Sequence, residues 1–578
     1  MESQTARPAQ PTAAPNEPSN TEKREPDNAR DNTTAAEEST TVSKIEYPSA
    51  FKRNVIVGSL MLASFLIALD LSIIATAIPV ITTEFTSMAD AGWYGSGRPT
   101  SVLTFISLPS SAFFLTLAAF VSAWGKGYKY FSLRVVYIVA IFVFEVGSLL
   151  CALAPNSIAL IIGRAIQGVG GAGISGGSYT ITAFICPPSL QPIVVGLLGS
   201  VFTVASIVGP LLGGVFTSKL TWRWCFYINL PIGAVTVLCM IFFFRTPVAA
   251  KANYGTPIRE VLMSFDPIGE VLIFAGLLSF FLAVQWGGVA YPWNSSVEIG
   301  LLVGCILILI LFAVNEWYQG DSALVVYRLL RNRSIGASAG FILFLNAGNI
   351  ALQYQLPVYF QAIQGDSPVE SGLKLIPSIL STAVATALGS GLAGKLQVFQ
   401  PFLLAASVIT TVGCGLIFTF GLSQGIGGII GYQILFGVGT GLGVQLPNLV
   451  ATVTSAAGDV STAVSSVAFF MLVAGGWGVA VTDAILNNLL LQKVPVYVPE
   501  LNGHEVLAVG AAAIKDVYSG ETLRGVRLAY LDGLHAAWAL GIAAFGLTFF
   551  WALIPKWPGR LIPAQGGNGK NSNAAVMI

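Results

Sequence analysis

The most constraining feature of the sequence is a series of apolar runs, each about 20 residues long, that recur from Val55 to Leu553. At 1.5 Å per residue, a helix of this length crosses the ~30 Å hydrocarbon core of a bilayer. Of the 578 residues, 54% are hydrophobic and 10% are charged, whereas an ordinary soluble domain has about 25% charged residues. So few charges cannot cover a water-exposed surface. The sequence therefore predicts an all-α membrane protein.

Loop signals between the apolar runs divide the chain into about fourteen predicted spans, which we number in chain order. They lie near residues 54–81, 100–123, 131–153, 157–183, 192–217, 223–245, 266–286, 297–317, 336–359, 369–393, 400–421, 426–453, 462–488 and 531–555. The segment 1–50 has hardly any large apolar residues, which predicts a disordered tail. Residues 489–530 form a predicted long outer loop, and 556–578 form a second tail.

The basic residues of the short loops fall mostly on one side of the membrane. If the amino terminus is inside, the inner connections hold fourteen basic residues, from Lys52 to Arg560. The short outer connections hold only Arg98, Lys219 and Arg223. Since cytoplasmic loops keep an excess of Lys and Arg, we expect both termini in the cytoplasm. Asn294 begins an Asn-Ser-Ser acceptor sequence for N-glycosylation in a predicted outer loop.

The sequence does not support metal binding, nucleic-acid binding, enzymatic activity or ATP-driven transport. The six cysteines occur singly, with no metal-binding spacing, and no Lys/Arg-dense face is present that could bind nucleic acid. The histidines, His504 and His535, provide no nucleophile–base pair at membrane depth, which disfavours an enzyme. No phosphate-binding GxxxxGK[ST] loop is present, so we expect an ion gradient rather than ATP as the energy source.

Short motifs recur along the chain in the same order. The pair Gly125-Lys126 after span 2 recurs as Gly394-Lys395 after span 10, and Gly168-Val169-Gly170 recurs as Gly437-Val438-Gly439. Both repeats are 269 residues apart. Near the same offset, Ser200-Val201 and Gly209 of span 5 are echoed by Ser466-Val467 and Gly475 of span 13. These matches predict two six-span halves in parallel orientation.

The repeat also predicts the domain organisation. Eight spans separate equivalent positions, so spans 7 and 8 lie between the halves. The predicted domains are residues 51–245, the first half; 246–335, the inserted spans with their inner linkers; and 336–555, the second half. Parallel halves place a binding site between them near the midplane, where rocking exposes it to one side at a time.

Charged side chains within the spans are the strongest candidates for function. Arg164 in span 4 is a permanent cation in hydrocarbon, which costs at least ~2.5 to 3.5 kcal/mol. Asp70 in span 1 lies roughly 24 Å above the inner boundary, and Arg164 roughly 10 Å below the outer one, so their depths nearly coincide. We predict that they face each other, with Glu145 of span 3 as a third, deeper group.

This pair could exchange a proton, because a buried carboxylate binds a proton more readily when a neighbouring cation moves away. The alternative is a static ion pair that only orders the helices. For Asp483, near the outer end of span 13, an interfacial or loop-facing carboxylate is favoured over a relay. No metal site is predicted.

Span 5 is built for close helix packing. It contains Gly196, Ala205, Gly209, Pro210, Gly213 and Gly214. Glycines three and four residues apart let two helices approach closely, and a proline within a helix permits bending. Taken alone, this pattern is also compatible with ordinary close packing.

These segments resemble a known family. The run Leu160–Ala172, with Arg164, Gln167 and Gly168, resembles the LxxxRxxQGxGAA pattern of the major facilitator superfamily. Span 5 resembles its antiporter signature Gx8Gx3GPxxGG, with Ala205 replacing the middle glycine. Leu69–Pro79 resembles the span 1 motif of the fourteen-spanning drug:proton antiporter branch, and Trp222–Gly233 resembles that branch's start of span 6.

The resemblance covers residues 51–555 and is closest to fungal multidrug and mycotoxin efflux carriers. It implies a monomeric carrier, without a cofactor, that exports small, largely apolar molecules in exchange for protons by alternating access. The plasma membrane is the expected location, with a vacuolar membrane as the alternative. The rival functions are a proton-coupled importer of a siderophore-like ligand, which the antiporter signature disfavours, and a membrane protein that does not drive transport against a gradient, such as a channel or receptor.

Family geometry further implies that spans 1, 4, 9 and 12 line the substrate cavity. They offer Ser72, Thr76, Tyr179, Asn346, Asn349, Gln353, Gln445 and Asn448. Amides and hydroxyls with few charges suit bulky neutral substrates, although such groups also serve as hydrogen bonds between helices.

By the same resemblance, the loop after span 2 corresponds to the family's gating loop, and here it contains Gly125, Lys126, Lys129 and Arg134. Lys129 stands where the family usually has Asp. The charge at this point of the loop is therefore reversed.

Overall fold

The computed structural model describes residues 47–90, 101–247, 250 and 255–561. Within these ranges the chain is helical, and its only β-type pairings are two isolated bridges. Most of the tail predicted for residues 1–50, and residues 562–578 of the second tail, lie outside the described ranges, as does Arg98.

The amino-terminal part contains α1 (Ala50–Asp90), α2 (Ser101–Tyr130), α3 (Leu133–Ala152), α4 (Ser157–Ile185), α5 (Gln191–Lys219), α6 (Trp224–Tyr227) and α7 (Asn229–Phe243). The middle part contains α8 (Ile258–Ser264), α9 (Pro267–Trp286), α10 (Ser296–Gln319) and α11 (Tyr327–Leu330). The carboxyl-terminal part contains α12 (Arg333–Tyr359), α13 (Pro368–Leu373), α14 (Ile376–Leu396), α15 (Gln400–Phe418), α16 (Ile426–Val444), α17 (Leu446–Thr454), α18 (Val460–Tyr497), α19 (Gly503–Val509), α20 (Ile514–Val517) and α21 (Gly520–Leu553).

The helices agree with the predicted number of spans. Thirteen helical segments of the described chain are long and apolar enough to cross a membrane. Helix α2, with 30 residues, packs among them as the fourteenth. Helices α6 and α7 together form span 6, and α16 and α17 form span 12. Span 12 is mostly buried inside the protein, whereas α10 is mostly exposed, so α10 lies on the lipid-facing periphery.

The repeated glycines occupy equivalent places in the two halves. A Cβ added to Gly168 of α4 would overlap the Phe113 carbonyl of α2, and a Cβ on Gly437 of α16 would overlap the Ser378 carbonyl of α14. The first glycine of each motif therefore lets its helix touch the second span of its own half.

The second glycine of the motif does the same on the opposite face. A Cβ on Gly170 would overlap the backbone of Phe144 in α3, and a Cβ on Gly439 would overlap the backbone of Thr410 in α15. Both copies of Gly-x-Gly are thus packed between the second and third spans of their halves, as a pseudo-symmetric fold requires.

The halves contact each other through α2 with α18 and through α5 with α14. A Cβ on Gly125 would overlap the side chain of Ser465, and one on Gly394 would overlap the ring of Pro192. Gly125 and Gly394 are equivalent in the repeat, so both interfaces have a close approach at the same end. That end is the one that the basic residues assign to the cytoplasm.

The two inserted spans lie along the interface between α2 and α18. At one end, Lys126 Nζ of α2 donates a hydrogen bond to the Ser322 carbonyl after α10. At the other end, Trp293 Nε1 donates to Asn488 Oδ1 of α18 at 3.0 Å, and Asn488 Nδ2 donates to the Gly287 carbonyl at 3.1 Å. The inserted spans are therefore bonded to the amino-terminal half at one end and to the carboxyl-terminal half at the other end.

Several boundaries differ from the sequence-based prediction. The segment 489–530 is not a continuous loop, because α18 extends to Tyr497, α21 begins at Gly520 and the short helices α19 and α20 lie between them. Span 12 is interrupted at Gln445, and Pro447 lies in the first turn of α17. Hydropathy marks where a chain crosses lipid, whereas helical hydrogen bonding continues into water or stops within the bilayer as packing requires.

Candidate functional site

Asp70 and Arg164 form a salt bridge inside the amino-terminal half. The bond joins Nη1 of Arg164 in α4 to Oδ2 of Asp70 in α1, and both side chains are fully buried. The structure thus brings together the two residues whose depths coincide in the sequence. An ion pair removed from water is more stable when its partners also satisfy their remaining polar atoms.

Two amide side chains bond the Asp70 carboxylate in addition to Arg164. Gln167 Nε2 donates to Asp70 Oδ1 at 2.6 Å and to Ser148 Oγ at 2.8 Å, and its Oε1 accepts from Arg164 Nη1 at 2.8 Å. Asn229 Nδ2 lies 3.4 Å from Asp70 Oδ1 and 3.2 Å from Ser148 Oγ. The carboxylate, on α1, is therefore bonded by residues of α4 and α7, and Ser148 of α3 accepts a hydrogen bond from both amides.

Two residues of this hydrogen-bond network, Asn229 and Ser148, were not predicted from the sequence as site residues. Asn229 belongs to the Trp222–Gly233 segment, which was recognised as a motif but not assigned to the site. Ser148 is one hydroxyl in the apolar run of span 3, and nothing in its local sequence distinguishes it. Gln167 was identified through the motif of span 4, and the structure gives it the central position.

The rest of the Arg164 guanidinium lies among aromatic rings. Its Cζ is 4.3 Å from the ring centroid of Phe113 and 5.9 Å from that of Phe226. Its Nε and Nη2 have no hydrogen-bond partner among the described residues. The ring faces stabilise the cation, but Asp70 supplies the only negative charge that pairs with it there. Neutralising Asp70 would leave a buried cation without a counter-charge.

Glu145 of α3 is placed near this pair but is not bonded to it. Both carboxyl oxygens are buried without a hydrogen-bond partner in the described part of the chain. The carboxyl group packs against Gly233 of α7, where an added Cβ would overlap it, and it interacts electrostatically with Asp70. An unpaired buried carboxyl favours its neutral form, so Glu145 is a second group that could carry a proton.

The glycines of the antiporter signature have different surroundings. Gly209 of α5 packs against α1, where an added Cβ would overlap Ser72 Oγ and lie 2.9 Å from the Ile73 nitrogen. The Ser72 hydroxyl is close to the Ala205 carbonyl at 3.0 Å. The signature thus joins α5 to α1 two residues beyond Asp70.

The other signature positions are less enclosed or face the second half. Gly196 faces α14, where an added Cβ would lie 3.0 Å from Ser390 Cβ. Gly213 is buried, whereas a Cβ on Gly214 would meet nothing within 4 Å. Pro210 lies inside α5.

Three of the predicted cavity residues form a hydrogen-bonded group between the halves. Tyr179 Oη of α4 donates to Gln445 Oε1 at 3.0 Å, and Asn448 Nδ2 of α17 donates to the same oxygen at 3.1 Å. The Gln445 side chain also packs against Gly199 of α5. These side chains hold the halves together in the conformation described here.

The remaining predicted cavity residues are divided between α1 and α12. Asn346 Nδ2 donates to the Met471 carbonyl of α18 at 2.7 Å, and Gln353 Nε2 donates to Asn349 Oδ1 at 2.9 Å. Asn346 and Asn349 are buried, and Gln353 is half-buried. The side chain of Thr76 lies outside the described residues. Most of these amides therefore bond to other parts of the protein in this conformation.

The gating loop meets a carboxylate of the second half. Lys129 Nζ lies 4.0 Å from Asp459 Oδ1 at the start of α18, and Arg328 places Nη1 and Nη2 3.1 Å from the two Asp459 oxygens. Arg134 Nη2 donates to the Ile241 carbonyl at the end of α7 at 2.6 Å. The reversed charge at Lys129 is therefore matched by an acidic partner across the interface.

Two other predictions concern glycosylation of Asn294 and metal binding. Asn294 is exposed in the turn between α9 and α10, and its glycosylation stays a prediction. Within the described residues, no group of three or more His, Cys, Asp or Glu side chains could hold a metal ion.

Comparison with known proteins gives the same assignment as the motifs. The family model of the Major Facilitator Superfamily matches residues 60–481. The MFS-type transporter thnB of Trichoderma harzianum is 40% identical over 508 residues, which are 88% of this chain and 85% of that protein. The probable efflux pump gsfJ of Penicillium aethiopicum is 37% identical, with 89% of each chain covered.

Solved structures share the fold at much lower identity. The human organic anion transporter MFSD10 superimposes with a TM-score of 0.56 at 15% identity, over 86% of this chain and 99% of that one. The proton:xylose symporter XylE gives a TM-score of 0.56 at 13% identity, over 88% and 97%.

Proposed function

Because this chain belongs to the Major Facilitator Superfamily, it is a membrane transporter and not an enzyme, and we propose that it exports small, largely apolar molecules in exchange for protons. Relatives named as efflux pumps support the outward direction. We further propose that it acts as a monomer in the plasma membrane, without a cofactor and with both termini in the cytoplasm.

The observation that carries the proposal is the buried salt bridge between Asp70 and Arg164. A proton that binds Asp70 removes the negative charge that pairs with the guanidinium, and a buried unpaired cation is strongly unfavourable. The protonated half must therefore rearrange, and the rearranged state would release substrate-binding contacts. Reforming the pair expels the proton on the other side of the membrane.

The proton gradient supplies enough energy for this exchange. One elementary charge moving down a membrane potential yields ~2.3 kcal/mol per 100 mV. Since about 1.4 kcal/mol corresponds to a tenfold concentration ratio, one proton can concentrate a solute tens of fold.

The contacts between the halves support alternating access. Gly125 and Gly394 bring the halves together at the same end, and Lys129 meets Asp459 there. With the orientation that the basic loops predict, this conformation is closed towards the cytoplasm. In the opposite state, these contacts would separate and admit substrate from inside.

The test uses inside-out membrane vesicles with an imposed proton gradient and the fluorescent dye rhodamine 6G. We expect the wild-type protein to accumulate the dye and to dissipate the gradient when dye is added. Asp70→Asn should abolish both effects while the protein remains folded in size-exclusion chromatography. Asp516→Asn, an exposed carboxylate of α20, is the matched control and should behave as wild type.

Unchanged coupling in Asp70→Asn would remove Asp70 from the mechanism. Dye movement in the direction of proton flow would instead establish an importer. Equilibration of dye without accumulation would indicate a channel.

A further inference from the structure

Asn229, the first residue of α7, supplies one of the two amides beside the Asp70 carboxylate. Its side chain is fully buried, and its Nδ2 lies 3.4 Å from Asp70 Oδ1 and 3.2 Å from Ser148 Oγ. Asn229 Oδ1 is also buried, but it has no hydrogen-bond partner among the described residues. Both N–H groups of this amide are therefore bonded, while its carbonyl oxygen is not. Such a buried, unbonded acceptor is rare, because it has lost its contact with water without replacement.

Ser148 of α3 has the opposite shortage. Its Oγ accepts hydrogen bonds from Gln167 Nε2 and from Asn229 Nδ2, which occupy both lone pairs of the hydroxyl group. Within the part of the chain that the structure describes, this hydroxyl group donates no hydrogen bond. An unused hydrogen of Ser148 thus lies close to an amide whose oxygen is unused.

The charge of Asp70 selects the orientation of the Asn229 amide. Oδ1 of an ionised carboxylate can only accept hydrogen bonds, so it attracts the NH2 end of the amide and repels the carbonyl end. Rotation of the amide by half a turn about its last side-chain bond would exchange the two ends. The carbonyl oxygen would then lie within reach of both Asp70 and Ser148.

Protonation of Asp70 would favour this rotated amide. Asp70 Oδ2 is paired with Arg164, and Oδ1 accepts from Gln167, so the remaining position for a proton on Oδ1 is directed at Asn229. Protonated Oδ1 is a donor. The rotated carbonyl oxygen would accept from this O–H and from the hydroxyl group of Ser148, while Gln167 keeps its own bond to Oδ1. The amide therefore makes two hydrogen bonds in either state.

Other titratable groups also face Asp70. They belong to α3, α4 and α6, and they are Glu145, Cys151, Arg164 and Cys225. The nearby part of α5 contributes Ala205 and Gly209, which do not titrate. Both carboxyl oxygens of Glu145 lack a partner in the described chain, so Glu145 is not bonded to Asn229. A proton on Glu145 would therefore leave the amide of Asn229 as it is.

We propose that Asn229 is a positioning residue for the proton of Asp70: its amide donates to the ionised carboxylate and rotates to accept from the protonated carboxyl group. This amide rotation rests on the proposed function, because it requires Asp70 to bind a proton. The rotation gives the protonated carboxyl group a partner for its new hydrogen, so Asp70 retains its proton in a site without water. Arg164 alone then loses by protonation, since its counter-charge is gone, and the rearrangement of the helices relieves that loss.

The test is infrared difference spectroscopy of the purified full-length protein between alkaline and acidic pH, with asparagine isotope-labelled at the side-chain carbonyl. The protonated carboxyl group of Asp70 gives a carboxylic acid band, assigned by its loss in Asp70→Asn. The carbonyl band of Asn229 is assigned by its loss in Asn229→Leu. We expect acid to produce the first band and to lower the frequency of the second over the same pH range, because the amide oxygen gains two hydrogen bonds.

Ser148→Ala tests the rotation without changing the amide itself. It removes one of the two hydrogens that the rotated oxygen accepts, so the shift of the Asn229 band should become smaller. The matched control is Thr236→Ala, since Thr236 is also buried in α7 but bonds to the Ile232 carbonyl of its own helix. Thr236→Ala and Glu145→Gln should both leave the shift unchanged.

Transport gives a functional measurement of the same residue. Asn229→Leu has a similar volume but no amide, so the ionised carboxylate loses a donor and the protonated one loses an acceptor. In the vesicle assay with rhodamine 6G, we expect proton-coupled accumulation to fall by about tenfold. Equilibrium binding of the dye to the purified variant should be unchanged, and Thr236→Ala should transport as wild type does.

Protonation of Asp70 without a shift of the Asn229 band would refute the amide rotation and leave the proposed function intact. A shift that persists in Asp70→Asn, or wild-type accumulation of dye by Asn229→Leu, would refute the rotation as well. Absence of the Asp70 carboxylic acid band at every pH, together with intact coupling in Asp70→Asn, would refute the proposed function and the rotation together.

Discussion

Tyr179 and Asn448 donate hydrogen bonds to the same atom, Oε1 of Gln445. The two donors are 269 residues apart, the offset of the repeated glycines, so they are equivalent positions in the two halves. Their shared acceptor lies at the break between α16 and α17. The pseudo-symmetry axis therefore passes close to this group, and Gln445 connects the halves at the place where they must separate during transport.

Replacing Gln445 should loosen this connection. Gln445→Ala removes the acceptor of both hydrogen bonds, each with a net value of about 0.5 to 1.5 kcal/mol, and should shift the population towards the state that is open to the cytoplasm. Spin labels at the exposed positions Ser189 and Gln397 would report the distance between the inner ends of α5 and α14. We expect a larger fraction of long distances in the variant.

The matched control is Gln433→Ala. Gln433 is also buried, but its Nε2 donates to the Lys374 carbonyl within the same half. If the two variants give the same distance distribution, the contact at Gln445 does not hold the halves together.

The antiporter signature supplies a second prediction. Gly209→Ala places a methyl group against Ser72 and the backbone of Ile73, so α5 must move away from α1 near Asp70. Overpacking of this kind costs about 1 to 3 kcal/mol. We expect a lower melting temperature and a loss of most proton-coupled transport.

Gly214→Ala is the control for this substitution, since it lies in the same helix and its added methyl group meets nothing within 4 Å. It should leave stability and transport unchanged, apart from a small gain in helix propensity. Equal loss of activity in both variants would mean that the whole signature, rather than its contact with α1, is sensitive to added volume.

The gating loop supplies a third prediction. Lys129→Asp places a carboxylate opposite Asp459, where the two halves meet, and should destabilise the state that is closed towards the cytoplasm. Because the side chains are only partly buried, we expect a several-fold decrease in export rate rather than complete loss. The measurement is dye export from intact cells at matched expression levels.

Adding Asp459→Asn to Lys129→Asp removes the repulsion and should restore part of the export rate. This comparison distinguishes a contact between these two residues from a separate requirement for a cation at Lys129. Asp459→Asn alone is the control, because it also removes the partner of Arg328. If the double variant loses as much export as the two single variants added together, Lys129 and Asp459 do not act as a pair.

The sequence contained enough information to pair Asp70 with Arg164. Hydropathy locates the ends of each span, and the regular rise of the helix converts residue number into depth. The repeated glycines similarly revealed two halves, because each glycine is required wherever helices approach closely. The depth of a residue in the membrane and the close approach of two helices can therefore both be predicted from the sequence.

The sequence predicts less well which face of a helix turns towards the interior of the protein. Ser148 and Asn229 lie in spans that are apolar on nearly every side, so no periodicity shows which face turns inward. The end of α18 was placed too early by hydropathy, because helical hydrogen bonding continues to Tyr497. The sequence also could not predict the partner of Lys129, since Asp459 is far away in sequence and meets Lys129 only after the halves assemble.

The release of protons when substrate binds is the most direct measurement of the role of Asp70. Purified protein in weakly buffered solution would be mixed with rhodamine 6G while a pH-sensitive dye of a different colour records the proton concentration. We expect the wild-type protein to release protons on binding and Asp70→Asn to bind the dye without releasing them. Equal release from Asp70→Asn and wild type, or its abolition by Glu145→Gln alone, would show that Asp70 is not the group that exchanges the proton.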